Sequence, residues 1–164
     1  MSRFASGKEF EKETAKTFAK IPNSFCYKFP DTHYYRAFRP EAIIPQVPSD
    51  FMVICNGKVV FLECKSSRSK TSYSFDYIPQ KQVDMGCMIS GIGVDYYFLI
   101  CNRSTRNHHY VLLFAPTDIL VMKRYLTASG KKSIKWSDLE RHAGVTRYNK
   151  NKDCTYDMDN VVMK

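Results

Sequence analysis

The sequence predicts a single α/β domain built on a central mixed β-sheet flanked by helices. Three observations lead there. The chain has 164 residues, within the roughly 100–200 that one domain occupies. Apolar residues make up 44% and charged residues 25%, which supports a packed core and excludes a disordered chain. Helix-like and strand-like segments follow one another in the order α-β-loop-β-β-α-β-β-α-α, which suits helices packed on one mixed sheet.

Gly7 to Lys20 reads as the first helix. Ser6 is placed to cap it, Glu9 to close a capping box, and Phe10, Thr14 or Ala15, and Phe18 to share one side. Asn23 to Phe29 reads as a short strand. Residues 30–48 read as an irregular, stalk-like insertion with four prolines and the run His33-Tyr34-Tyr35-Arg36-Ala37-Phe38-Arg39. Insertions of this length inside a compact domain are usually functional. Asn56-Gly57 joins the apolar runs Phe51 to Cys55 and Lys58 to Lys65, predicting a two-residue type I′ hairpin. Lys65 to Tyr73 reads as a polar, basic loop. Pro79 opens a helix that runs to about Ser90 and ends at Gly91. Tyr96 to Cys101 and Tyr110 to Phe114 read as strands, and Pro116 to Leu126 as a helix. Ser137-Asp138-Leu139-Glu140 has the form of a capping box opening a last short helix. From about Gly144 the chain reads as a polar, weakly patterned tail.

Lys plus Arg total 25 against 16 Asp plus Glu, a net charge of +9 that points to a polyanionic partner. The six cysteines show no C-x-x-C pair or zinc spacing, so reduced, buried thiols are expected. No apolar run is long enough to span a membrane, and Met1 to Lys20 lacks the apolar core of a signal peptide. The expectation is a cytoplasmic protein with no membrane partner and no small-molecule cofactor.

The hairpin fixes a register. With Asn56 and Gly57 in the turn, Cys55 faces Lys58, Val53 faces Val60, Phe51 faces Leu62, and Asp50 faces Glu63. Lys65 lies two residues beyond Glu63, on the same face. Opposed like charges destabilise a sheet, and a divalent cation between the carboxylates removes that repulsion. The competing reading is a solvated strand end with Lys65 bridging the acids. Glu11 shares a helix face with Ala15 and Phe18, where a carboxylate is costly unless paired or near a cation. Gln82 has Ile78 before it and Met85 after it on its helix face, and alone reads as a helix-edge amide. His108 and His109 point to opposite faces of a strand, Ser66 and Ser67 have no His/Asp partner, and Trp136 reads as a core or interface anchor.

Pro48-Ser49-Asp50, a spacer of hairpin length and Glu63-Cys64-Lys65 resemble the PD-(D/E)xK nuclease signature, with Ser49 as one extra residue after the proline. Gly7-Lys8-Glu9-Phe10-Glu11, Lys70-Thr71-Ser72-Tyr73, Gln82 and Gly130-Lys131-Lys132-Ser133-Ile134 resemble, in order, motifs of the RecU-type Holliday junction resolvases. The archaeal Hjc resolvases are more distant relatives of that type. The resemblance runs from about Phe4 to Leu139 and leaves the segment from Gly144 uncovered.

What the resemblance implies is a restriction-endonuclease-like fold in a homodimer that cuts four-way DNA junctions during recombination and repair. It implies Mg²⁺ or Mn²⁺ held by Asp50, Glu63 and the backbone carbonyl of Cys64. Lys65 would orient the attacking water, Gln82 would bond Lys65 or that water, and Glu11 would hold a metal-bound water. Phosphates would meet Arg36 and Arg39 on the insertion, Arg68 and Lys70 after the catalytic lysine, and Lys131, Lys132 and Lys135 later on. Tyr34, Tyr35 and Phe38 would stack on exposed bases, or pack the insertion. The insertion is short beside that of the cellular enzymes, which points to a phage origin. Two other readings stand beside this one: a duplex- or flap-cutting endonuclease on the same scaffold, and a non-catalytic DNA-binding protein.

Overall fold

The computed structural model describes residues 3–30, 47–105, 109–142 and 145–162. The elements are α1 (Arg3–Phe18), β1 (Ser24–Lys28), β2 (Phe51–Cys55), β3 (Lys58–Ser67) and β4 (Ser72–Ser74). A 3₁₀ turn (Phe75–Tyr77), α2 (Gln80–Gly91), β5 (Asp95–Asn102), β6 (Tyr110–Phe114) and α3 (Pro116–Ser129) follow. β7 (Ser133–Lys135), α4 (Trp136–Glu140), β8 (Thr146–Asn149) and α5 (Asp159–Val162) complete the chain.

Six strands form one sheet in the order β1-β2-β3-β5-β6-β8. Only β3 and β5 run parallel, so the sheet is mixed, as predicted. The parallel pair needs a crossover, which β4 and α2 supply. Side chains alternate across the sheet and separate two cores. On one face Phe51, Val53, Leu62 and Cys101 pack under Phe10 and Phe18 of α1. On the other, Phe98, Ile100 and Leu112 pack against Val83 of α2, Ile119 of α3 and Trp136. Trp136 is therefore a core anchor, 4% exposed. All six cysteines are free.

Several boundaries differ from the sequence reading, each for a physical reason. α1 begins at Arg3, so Ser6 lies inside the helix and not at its N-cap position. α4 begins at Trp136 with Lys135 at its N-cap and no side-chain cap bond, so the Ser137–Glu140 capping box does not form. Burial of the indole sets that start. The basic loop is shorter than predicted, because β3 runs on to Ser67 and β4 starts at Ser72. The largest correction concerns the segment after 144, which is no loose tail. It adds β8 to the sheet and buries Tyr148, Tyr156, Met158, Val161 and Val162 against the α1 core. Those five are spaced too irregularly to register as a helix or a strand face.

Candidate active site

The site begins with the Asn56-Gly57 turn. Both residues have positive φ, 51° and 78°, as a type I′ turn requires. Asn tolerates that region and Gly enters it freely. The turn fixes the predicted register: Phe51 pairs with Leu62, Val53 with Val60 and Cys55 with Lys58. Asp50 stands one residue before the ladder and Glu63 one residue after it, so the two carboxylates meet at the hairpin's open end.

Backbone groups hold them there. The Asp50 Oδ2 accepts the Cys64 N–H at 2.7 Å. The Asp50 carbonyl accepts the Phe29 N–H at 2.9 Å, extending the β1–β2 pairing. The extra residue Ser49 is buried and its hydroxyl donates to the Phe51 carbonyl at 2.6 Å. The Tyr96 hydroxyl, from β5, donates to the Pro48 carbonyl at 3.1 Å. One additional residue between proline and aspartate is thus taken up by hydrogen bonds, and Asp50 still faces Glu63.

Glu63 is 2% exposed. Its Oε1 accepts from Lys65 Nζ and from Gln82 Nε2, each at 2.6 Å. Gln82 is thereby more than a helix-edge amide: α2 carries it across the β3–β5 crossover onto Glu63 of β3. With its nitrogen on Glu63, its own Oε1 is buried without a partner among the described residues. Burial pushes the Asp50 carboxyl up to about 7, and the neighbouring Glu63 adds to this against Lys65 and the Cys64 N–H. Burial also raises Glu63, against the opposing pull of Lys65.

Glu11 lies on α1, on the opposite face of the sheet, and its Oε2 pairs with Lys28 Nζ at 2.5 Å. It is near enough for its charge to raise both carboxyls. The Cys64 side chain turns toward α1, 3.6 Å from the Thr14 hydroxyl, while Glu63 and Lys65 turn the other way. Arg68 and Lys70 are exposed in the loop after β3, and Lys131 and Lys132 are exposed before β7. Pairing of β4 with β7 brings these two basic segments side by side. Arg36, Arg39, Tyr34, Tyr35, Phe38 and His108 lie outside the described residues.

Sequence reasoning missed Tyr96 and a second charged cluster. Arg103, whose side chain is 2% exposed, pairs with Glu13 at 2.8 Å and with Glu9 at 2.8 Å. Lys150 reaches Glu13 at 2.5 Å, and the Tyr156 hydroxyl donates to it at 3.1 Å. These residues come from three distant stretches of chain, so no local spacing announces them.

The fold and site define a class: an α/β domain whose mixed sheet presents a buried and a half-buried carboxylate, a lysine and a glutamine at a hairpin's open end. No protein-family model matches the chain, and no curated protein matches it. Among solved structures it is similar to Archaeoglobus fulgidus Hjc, a Holliday junction resolvase from an archaeal hyperthermophile. The identity is 14%, over 68% of this chain and 78% of that one, with a TM-score of 0.43.

Proposed function

We propose that this chain is a metal-dependent endonuclease of the PD-(D/E)xK type that hydrolyses phosphodiesters in four-way DNA junctions. The observation that carries this reading is the half-buried Asp50 set beside the buried Glu63 at the hairpin's open end. Lys65 pairs with Glu63, and among the described residues no cationic side chain pairs with Asp50. With both carboxyls ionised, one ammonium leaves one negative charge uncompensated, and charge drawn out of water is costly unless neutralised.

The donor set fits Mg²⁺ or Mn²⁺. Hard cations take oxygen ligands, and Mg²⁺ keeps several waters, so few carboxylates suffice. No group of three His, Cys, Asp or Glu side chains gathers into a fuller cage among the described residues. Asp50, Glu63 and the Cys64 carbonyl would hold the ion, which supplies Lewis-acid activation of water and charge stabilisation at the phosphate.

The chain's own groups do the rest. The Cys64 N–H fixes the rotation of the Asp50 carboxylate. Gln82 holds Glu63 from the α2 side. Lys65 is held at the carboxylate, where its ammonium can orient an attacking water and offset charge on the phosphate. Glu11 biases the site by charge across the strand end. The basic segments around Arg68, Lys70, Lys131 and Lys132 would take phosphates, as would Arg36 and Arg39. A resolvase must cut two strands, so a homodimer would supply the two sites.

The test is cleavage of a synthetic four-way junction with Mg²⁺, run beside a flap and a linear duplex. Asp50→Asn, Glu63→Gln and Lys65→Ala are each expected to abolish cutting while DNA binding persists. Full activity in any of the three removes the assignment. Equal cutting of linear duplex would retain the nuclease and remove the junction preference.

A further inference from the structure

A second basic surface lies beyond the carboxylate site. β4 and β7 pair antiparallel, with Ser72 opposite Lys135, Tyr73 opposite Ile134 and Ser74 opposite Ser133. Trp136 locks this ribbon to the loop that follows β3. Its indole N–H donates to the Ser69 carbonyl at 2.8 Å, and its backbone N–H to the Thr71 carbonyl at 3.1 Å. From the other side the Ser74 hydroxyl donates to the Lys132 carbonyl at 3.2 Å. Residues 68–71 are therefore clamped to the ribbon, and do not swing freely from the end of the catalytic strand.

A groove of about 420 Å³ runs along the ribbon. Lys131, Lys132 and Lys135 line it together with Tyr125, Thr71 and Ser72. Its one acid, Asp138, is already paired with Arg141 at 3.0 Å. Among the described residues none of the three lysines is in an ion pair. The Lys131 ammonium sits 5.8 Å above the ring of Tyr125, an aromatic that is 54% exposed at the groove's lip. Three uncompensated ammonium groups, two hydroxyl-bearing residues and an exposed ring in one trough match a sugar-phosphate backbone: charge for the phosphates, hydroxyls for their oxygens, a ring for the sugar face.

We propose that this groove binds the backbone of a duplex DNA arm away from the scissile bond. It sets grip and orientation, and leaves the chemistry to Asp50, Glu63 and Lys65. The choice of DNA as occupant rests on the nuclease reading above; the charge and shape of the groove do not. Trp136 is a positioning residue for it, because it ties the groove to the end of β3.

The test measures binding without cutting. Labelled duplex DNA is titrated by fluorescence anisotropy in EDTA over a series of KCl concentrations. The three lysines are exposed, so Lys131→Ala/Lys132→Ala/Lys135→Ala is expected to melt like the parent. Each phosphate contact contributes about 0.9 to the slope of log K against log[salt], so the triple variant should lower that slope by about 2–3. A control, Lys12→Ala/Lys58→Ala/Lys152→Ala, removes the same charge elsewhere and should lower the slope by less than 1. Trp136→Phe keeps a ring and loses the indole donor to Ser69; it should weaken duplex binding in EDTA while the triple-lysine slope loss persists in its background. An unchanged slope in the triple variant overturns the proposal. So does an equal loss in the control, or a loss seen with duplex RNA and not with DNA. Because binding is read in EDTA, a protein that never cuts but loses slope in the triple variant keeps the groove and removes the nuclease. Normal cutting with an unchanged slope does the reverse.

Discussion

Burial holds the Asp50 carboxyl up at about 7, against an ordinary value of 3.8. The folded protein therefore keeps a proton that the unfolded chain releases at lower pH. This group's favourable contribution to stability is full below 3.8 and is lost as pH rises through about 7. Without divalent cation, Asp50→Asn should melt higher than the parent at pH 8, by about 2–4 kcal/mol in unfolding free energy. The advantage should vanish at pH 4. Thermal melts in EDTA at the two pH values check this, and Mg²⁺ should narrow the gap at pH 8 by stabilising only the parent. A parent that melts identically at both pH values, alongside an unchanged variant, would remove the buried-charge argument. Gln82 acts through Glu63, so Gln82→Leu should shift the Mg²⁺ concentration for half-maximal cutting upward by about 10-fold, in line with other outer-shell ligand partners. Unshifted Mg²⁺ dependence would return Gln82 to the helix edge.

At the scale of the elements, the site depends on α2 lying close to the sheet. Gly86 makes this approach possible. A Cβ added there would meet Pro116 Cγ at 2.9 Å and the Tyr96 ring at 3.0 Å. Gly86→Ala therefore pushes α2 away from α3 and β5, or forces Tyr96 aside. The expected cost is about 1–3 kcal/mol by denaturant unfolding, the usual range for overpacking. Cutting should fall as well, because α2 carries Gln82 and Tyr96 holds the Pro48 carbonyl. The same elements show how much a local reading reaches. The hairpin was fully legible: Asn-Gly dictates a turn with two positive φ values, and a two-residue turn leaves only one register. The ends of α1 and α4 were not. Ser137 looks like a cap in isolation, but the buried Trp136 already stands inside α4, so the helix starts one residue before that serine. β7 and β8 have three and four residues, too few for alternation to stand out.

Across the whole molecule, the chain's two ends are joined by Glu13, Arg103, Lys150 and Tyr156. Burial opposes ionisation of Glu13, but Lys150 and Arg103 outweigh it and hold the carboxyl below 4.5. Its contribution to stability is present above that value and is lost as pH falls through the lowered one. Removing one partner of a buried ion pair typically costs about 3–5 kcal/mol, because the other charge is stranded. Glu13→Ala should lose about that much by denaturant unfolding, with the junction-cutting rate preserved at a temperature where it stays folded. A loss below 1 kcal/mol would mean the cluster is solvated. This cluster also explains why the segment after 144 looked like a tail. Lys150 and Tyr156 find their partners on α1 and β5, and no window of sequence contains both halves of such a pair.

The sequence by itself determined the mixed α/β class, the hairpin register and the meeting of Asp50, Glu63 and Lys65, because turn chemistry and strand periodicity act between near neighbours. Only the tertiary structure decided which amide from α2 reaches Glu63, and that residues near 70 and near 132 build one groove. It also decided that the chain's end closes over α1. Those contacts join residues tens of positions apart, and they are selected by packing the two faces of a sheet rather than by local propensity.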